Sequence, residues 1–111
     1  MNPTSTRIYA RAMDLVDLAI SIESALRSRP HMFDQLDRAT DSVVRNYVEG
    51  CGRRTAKDRA RFFSMAKGSA YEAGAVVHLA ARKGLVDAEV AARALDIADH
   101  LGAMLHKLML M

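Results

Sequence analysis

The 111-residue sequence has one cysteine, two prolines, no tryptophan, three phenylalanines and three tyrosines. The single cysteine, Cys51, excludes an internal disulfide and indicates a reducing compartment. The scarcity of proline and of clustered β-branched residues, together with abundant alanine, favours helices over strands. Because aromatic rings are few, stacking platforms for nucleic-acid bases are scarce.

Long apolar runs without charge are also missing, which excludes a membrane-spanning helix by composition. The first residues do not show a basic segment followed by an apolar one, the pattern of a secretion signal. We therefore expect a cytoplasmic protein without membrane contact. The chain is too short for two hydrophobic cores, so residues 1–111 are predicted to form one domain.

Motifs that carry catalysis are absent as well, including phosphate-binding glycine loops and nucleophile elbows. No Glu-x-x-His pair of the di-iron bundles is present. Asp96 and His100 lie four residues apart, but such a pair is more typical of a helix surface than of a metal site. Cys51 has no base near it in sequence. We expect no enzymatic activity, no cofactor and no metal. The least favoured hypothesis is a metal or small-molecule site around His78, His100 or His106.

Apolar residues that recur every three or four positions predict four helices, at about Thr6–Leu26, Met32–Glu49, Thr55–Lys83 and Asp87–Leu110. Pro30 separates the first two helices, because it cannot continue the hydrogen-bond ladder. Gly50 and Gly52 offer left-handed positions that would end the second helix, and Gly84 is predicted to stop the third. The candidate N-caps are Thr4, Ser5 or Thr6 for the first helix, Thr55 with Asp58 for the third and Asp87 for the fourth.

Short loops favour antiparallel packing of consecutive helices, so the predicted fold is an all-α, antiparallel up-down four-helix bundle. The small residues Ala66, Ala70, Ala73 and Gly74 predict that a neighbouring helix approaches the third helix closely. A monomeric bundle needs an apolar stripe of only about 100° on each helix. The third and fourth helices are apolar over more than one face, which predicts an oligomer.

Positive charge is concentrated between Arg45 and Lys67. This segment has seven basic and two acidic residues, whereas five basic and six acidic residues precede it and four basic and five acidic residues follow it. Basic groups in the first turn of a helix oppose its macrodipole, which indicates another role for them. We interpret the seven as candidate contacts to nucleic-acid phosphates: Arg45, Arg53, Arg54, Lys57, Arg59, Arg61 and Lys67. The alternative is a solvated turn, partly paired with Glu49 and Asp58.

A set of residues between Gln35 and Glu72 carries a family resemblance. The set consists of Gln35-Leu36-Asp37-Arg38-Ala39, Ser42, Asn46-Tyr47-Val48-Glu49-Gly50, Gly52-Arg53, Thr55, Arg61-Phe62-Phe63, Ala66-Lys67-Gly68-Ser69 and Glu72. In order and spacing it resembles the four-helix-bundle proteins encoded by intervening sequences of bacterial 23S rRNA genes. Three places depart from the pattern: Asp37 replaces a basic residue, Tyr47-Val48 replaces a smaller pair, and Lys67 lacks the bidentate fork of arginine.

The resemblance implies a ring-shaped homo-oligomer, expected to be a pentamer, without established enzymatic activity. Similar proteins include the accessory variability determinants of diversity-generating retroelements, which bind nucleic acid and associate with a reverse transcriptase. A reverse transcriptase is therefore a partner implied by resemblance alone. Six motif residues have a structural interpretation, in which they join the second and third helices or satisfy backbone and packing requirements: Asn46, Glu49, Gly50, Gly68, Ser69 and Glu72.

The sequence thus favours a non-enzymatic, nucleic-acid-binding accessory protein that contacts RNA or DNA phosphates as a homo-oligomer. The alternative is a structural or protein-interaction scaffold without nucleic-acid activity, in which the charges serve only solubility.

Overall fold

Four α-helices make up most of the molecule. A computed structural model describes residues 2–111, in which no strand occurs and the principal extents are 44 × 21 × 21 Å. The helices are α1 Arg7–Ser21, α2 Pro30–Cys51, α3 Ala56–Arg82 and α4 Ala88–Met109, with short 3-10 turns at Pro3–Ser5 and Ser24–Leu26. None of the described helices combines the length and the apolarity that crossing a bilayer requires.

Two of the predicted N-caps are confirmed by hydrogen bonds. The Thr6 hydroxyl accepts from the backbone N–H of Tyr9 at 3.2 Å, and the Thr55 hydroxyl accepts from that of Asp58 at 3.1 Å. These bonds satisfy backbone donors that the first turn of a helix leaves free. Asp87 occupies the N-cap position of α4, but its side chain makes no capping hydrogen bond.

The ends of α1 and α2 differ from the prediction. The predicted first helix reached Leu26, whereas α1 ends at Ser21 and the chain tightens into the second 3-10 turn. That turn still places Leu26 in the core, as the apolar spacing predicts. The prediction that an α-helix extends to Leu26 is wrong. α2 begins at Pro30 instead of Met32. Proline is tolerated at the first position of a helix, because the backbone N–H that it lacks would have no partner within the helix there.

The predicted left-handed conformation of Gly50 and Gly52 is wrong. Among the described residues, only Gly84 has a positive φ, of 76°, and it follows α3 as predicted. Gly50 lies inside α2, where a Cβ atom would come within 2.6 Å of Cε1 of Phe63. Close packing against α3, and not backbone conformation, is what requires glycine at this position.

Consecutive helices run in opposite directions around a shared core. Near the start of α1, Thr6 contacts Tyr47 near the end of α2, and Gly50 of α2 meets Phe63 near the start of α3. α3 and α4 approach closely through small residues, as predicted. A Cβ atom on Gly74 would lie 3.2 Å from the Cβ of Ala98.

Apolar surface remains exposed on α3 and α4 after the core is filled. Tyr71 is 43% exposed and Leu79 is 52% exposed, both on α3, and Leu95 of α4 is 39% exposed. The surplus of apolar faces read from the sequence is therefore present on the surface of the single chain.

Candidate nucleic-acid interface

The turn between α2 and α3 gathers five of the seven sequence-predicted phosphate contacts. We call this group the basic corner; its members are Arg53, Arg54, Lys57, Arg59 and Arg61. The guanidinium groups of Arg53 and Arg61 lie over the ring of Phe62, with Cζ to ring-centroid distances of 4.5 and 4.4 Å. These cation–π contacts hold two long side chains against one aromatic surface.

One carboxylate, that of Asp58, is shared between the same two arginines. Nη2 of Arg61 lies 3.1 Å from Oδ1 of Asp58, and Nε of Arg53 lies 3.7 Å from Oδ2. Nε of Arg53 is also 3.6 Å from Oε2 of Glu49. Both Arg53 distances exceed those of a normal hydrogen bond, and this buried Nε has no hydrogen-bond partner among the described residues. The ion pairs of Arg53 are therefore long, and the arginine is incompletely satisfied.

Arg59 has a structural role that the sequence did not reveal. Its Nη1 donates to the carbonyl oxygens of Arg53 at 3.2 Å and of Arg54 at 3.1 Å. These carbonyls lie in the turn between two helices, beyond the hydrogen-bond ladder of α2. Arg59 therefore stabilises the turn in which Arg53 and Arg54 lie.

Arg54 and Lys57 are exposed, and neither forms an ion pair within residues 2–111. From residue 49 to residue 61 the chain has five basic and two acidic side chains, a net charge of +3. The pairing with Glu49 and Asp58 thus leaves the basic corner strongly positive.

The other two predicted contacts lie elsewhere. Arg45 borders a groove of about 460 Å³ between α2 and α3, beside Ser42 and Ser69. Lys67 precedes Tyr71 by one helical turn, and Tyr71 lies against Gly102 of α4. Lys67 is therefore on the α4 side of α3, away from the groove that Arg45 borders.

The motif residues form a polar link beside this groove. The hydroxyl groups of Ser42 and Ser69 are 2.7 Å apart and join α2 to α3. Nδ2 of Asn46 donates to the carbonyl and to the hydroxyl oxygen of Ser42, both at 2.9 Å. Asn46 thus acts within α2, where it positions Ser42, instead of reaching α3 itself. Ser42 as the direct link was missed, although its place in the motif was visible.

The remaining motif residues differ in their surroundings. Glu49 forms the long ion pair with Arg53. Glu72 borders the groove and forms no ion pair with any described residue. A Cβ atom on Gly68 would meet no atom within 4 Å, and its φ is not positive. The interpretation of Gly68 as required by backbone or packing within the chain is therefore wrong.

The side chain of Arg11 contacts both Asp96 and His100, the pair considered as a metal site. Nε of Arg11 donates to Nδ1 of His100 at 3.1 Å, and Nη2 of Arg11 lies 3.5 Å from Oδ2 of Asp96. A guanidinium group therefore lies between the two side chains that would share a metal. Residues 2–111 contain no group of three or more His, Cys, Asp or Glu side chains arranged to hold a metal ion.

A comparison with protein families agrees with the motif, whereas a search of curated proteins finds no match. The sequence model described as 23S rRNA-intervening sequence protein matches residues 4–107, from the first 3-10 turn to the last turns of α4. The match covers the Ser42–Ser69 link, the basic corner and all the residues that carried the resemblance, which is thereby confirmed. This four-helix chain belongs to the 23S rRNA-intervening sequence protein family.

Proposed function

We propose that this protein is a non-enzymatic accessory protein that binds the phosphate backbone of RNA or DNA through its basic corner. The observation that carries the proposal is the excess of exposed positive charge at one turn. Arg54 and Lys57 have no acidic partner among the described residues, while Arg53 and Arg61 share the carboxylate of Asp58. Such a surface attracts polyanions without selecting a base sequence.

The pairing within the corner does not prevent phosphate binding. The side chains of Arg53 and Arg61 are 39% and 59% exposed, and exposed ion pairs contribute only about 0–1 kcal/mol. A phosphate oxygen can replace the shared carboxylate at small cost, and arginine presents a fork that fits it. Because Phe62 is already covered by guanidinium groups, backbone contacts and not base stacking dominate the proposed interaction.

The proposed assembly is a homo-oligomeric ring, with a pentamer as the stoichiometry that the resemblance implies. Leu79 and Leu95, exposed on α3 and α4, supply apolar surface for contacts between copies. A ring repeats the basic corner around its axis, so one nucleic acid can contact several corners and bind more tightly than to a single chain. Arg45 and Lys67 would extend the contact surface on either side of α3. Association with a reverse transcriptase rests on resemblance alone.

A scaffold without nucleic-acid activity is the second candidate, and one observation favours it. Arg53, Arg59 and Arg61 all have partners within the chain, so part of the corner serves the turn itself. Under this function the oligomer forms, and the remaining charges only keep it soluble.

Fluorescence anisotropy with labelled generic RNA and duplex DNA distinguishes the two. The variant Arg54→Ala with Lys57→Ala removes two charges that have no ion pair within the described chain. The matched control, Arg27→Ala with Arg29→Ala, removes two exposed charges at the opposite end of the bundle. We expect the corner variant to bind about tenfold more weakly than the control in 50 mM salt, since each lost phosphate contact weakens binding. Equal affinities of the two variants, or no binding by the intact oligomer, would favour the scaffold.

A further inference from the structure

A cavity lies at the end of the bundle where α1 and α3 begin and α2 and α4 end. We call it the end pocket. Its volume of about 470 Å³ falls within the range of about 300–1,000 Å³ that is typical of small-molecule sites. The cavity opens to solvent. Its apolar walls are contributed by all four helices or their ends, and they include Ile8, Tyr47, Phe63, Leu108 and Met111.

The charged side chains that line the end pocket are both positive. Arg7 and Arg59 are among its lining residues, whereas no aspartate or glutamate is. Arg7 makes no side-chain hydrogen bond or ion pair with the described residues, and Arg59 uses Nη1 for the turn carbonyls. Its Nη2 therefore remains available. Two helices begin and two end here, so their dipoles oppose one another.

The polar groups inside the pocket are already paired with one another. Oη of Tyr47 lies 2.7 Å from the hydroxyl of Thr6, which donates in turn to the carbonyl of Pro3 at 2.8 Å. Burial raises the pKa of Tyr47 above its ordinary value, with the neighbouring Cys51 adding to the rise. The phenol of Tyr47 is thus neutral and hydrogen-bonded. With the ring of Phe63 and the aliphatic side chains of Ile8 and Leu108 beside it, the interior of the pocket is suited to a hydrocarbon chain.

We propose that the end pocket binds a hydrophobic carboxylate, a single medium-length alkyl chain ending in an acid group. The alkyl chain would lie between Phe63 and Leu108, where burial of methylene groups supplies the affinity. The carboxylate would accept hydrogen bonds from Arg7 and Arg59 at the mouth. This site is distinct from the nucleic-acid surface, because Arg59 is the one member of the basic corner that also lines the end pocket.

Titration calorimetry of the native protein with decanoate, below its micelle concentration, tests the proposal. We expect one decanoate per chain and about tenfold weaker binding of decan-1-ol, because an uncharged head loses the charge-assisted hydrogen bonds. Arg7→Gln should weaken decanoate binding about tenfold and leave decan-1-ol unchanged. The control Arg27→Gln, at the other end of the bundle, should change neither affinity. Arg7 lies outside the proposed nucleic-acid surface, so this result is independent of phosphate binding.

A second measurement locates the ligand. Cys51 is a free, half-buried thiol that lines the end pocket, so its alkylation by iodoacetamide reports whether the pocket is filled. Decanoate should slow the alkylation, and the protection should be lost in Arg7→Gln at the same decanoate concentration. Absence of decanoate binding, equal affinity for acid and alcohol in the native protein, or binding that leaves the alkylation rate unchanged would each overturn the proposal.

Discussion

At the residue scale, the contact between Gly50 and Phe63 sets how closely α2 and α3 approach. A Cβ on Gly50 would lie 2.6 and 2.8 Å from two ring atoms of Phe63 and 3.2 Å from Cβ of Phe62. Phe63 is only 4% exposed and its ring lies 6.0 Å from that of Tyr47, so moving the Phe63 ring aside would disturb other core contacts. The glycine in the family motif is thus explained by packing.

The first prediction concerns this contact. Gly50→Ala should destabilise the protein by about 1–3 kcal/mol, because overpacking outweighs the gain in helix propensity. Gly52→Ala is the matched control, since its Cβ would lie 3.6 Å from the carbonyl oxygen of Glu49, an ordinary van der Waals distance. Urea unfolding of the two variants measures the difference. An equally stable Gly50→Ala protein would contradict the packing account.

The second prediction concerns Tyr47 and pH. Burial raises the pKa of Tyr47 above 10.0, so the folded state holds the phenol proton more tightly than the unfolded state. The resulting contribution to stability is fully present below pH 10 and is lost as the pH rises through the raised folded-state pKa. Tyr47→Phe should cost about 0.5–1.5 kcal/mol at neutral pH through the lost hydrogen bond to Thr6.

Above pH 10 the Tyr47→Phe variant should lose less stability than the native protein, because it has no phenol to ionise at this site. Urea unfolding between pH 7 and pH 11 follows both effects. Tyr9→Phe is the control at neutral pH, since the Tyr9 hydroxyl makes no hydrogen bond within residues 2–111. Parallel pH curves for Tyr47→Phe and the native protein would contradict this account.

At the element scale, the start of α3 determines where the basic corner lies. The cap at Thr55 fixes the first turn of α3, and this turn carries Lys57, Asp58 and Arg59. The reciprocal half of a capping box does not form. The Asp58 side chain instead accepts from Nε and Nη2 of Arg61, at 3.3 and 3.1 Å.

The third prediction compares two helix starts. Thr55→Ala should destabilise the protein by about 1 kcal/mol, because it leaves the backbone N–H of Asp58 without its acceptor. Asp87→Ala should cost less, since the Asp87 side chain makes no capping hydrogen bond. Thermal unfolding of both variants, side by side, measures the difference. A larger cost at Asp87 than at Thr55 would contradict the assignment of the caps.

Much of the fold was predictable at this scale because it depends on local rules. Apolar spacing placed all four helices, and Thr6, Thr55 and Gly84 marked boundaries by hydrogen bonding or by backbone conformation. The corner was less predictable. The pairs Glu49–Arg53 and Asp58–Arg61 follow helical spacing and can be read from the sequence, but the stacking of Arg53 on Phe62 depends on the path of the turn. The role of Gly50 required the position of a side chain from another helix.

At the scale of the whole molecule, the apolar side chains left exposed on α3 and α4 determine the proposed contact between copies. The end pocket also belongs to this scale, because residues from all four helices or their ends line it and no single helix contains it. A sequence pattern within one helix cannot indicate such a cavity.

The fourth prediction concerns assembly. Leu79→Glu, at a residue 52% exposed on α3, should reduce the mass seen by light scattering while circular dichroism remains helical. Ile20→Glu is the control: Ile20 is 64% exposed on α1, outside the proposed contact, and its substitution should leave the mass unchanged. If only Ile20→Glu dissociated the oligomer, the interface would lie on α1.

The most direct test of the central claim is the salt dependence of nucleic-acid binding by the native protein. The observed association constant for generic duplex DNA should fall linearly with salt on a log–log plot, with a slope of about −0.9 per phosphate contacted. Arg54→Ala with Lys57→Ala should make that slope shallower, whereas Arg27→Ala with Arg29→Ala should leave it unchanged. Binding that does not depend on salt, or a slope that is the same in all three proteins, would contradict phosphate recognition by the basic corner.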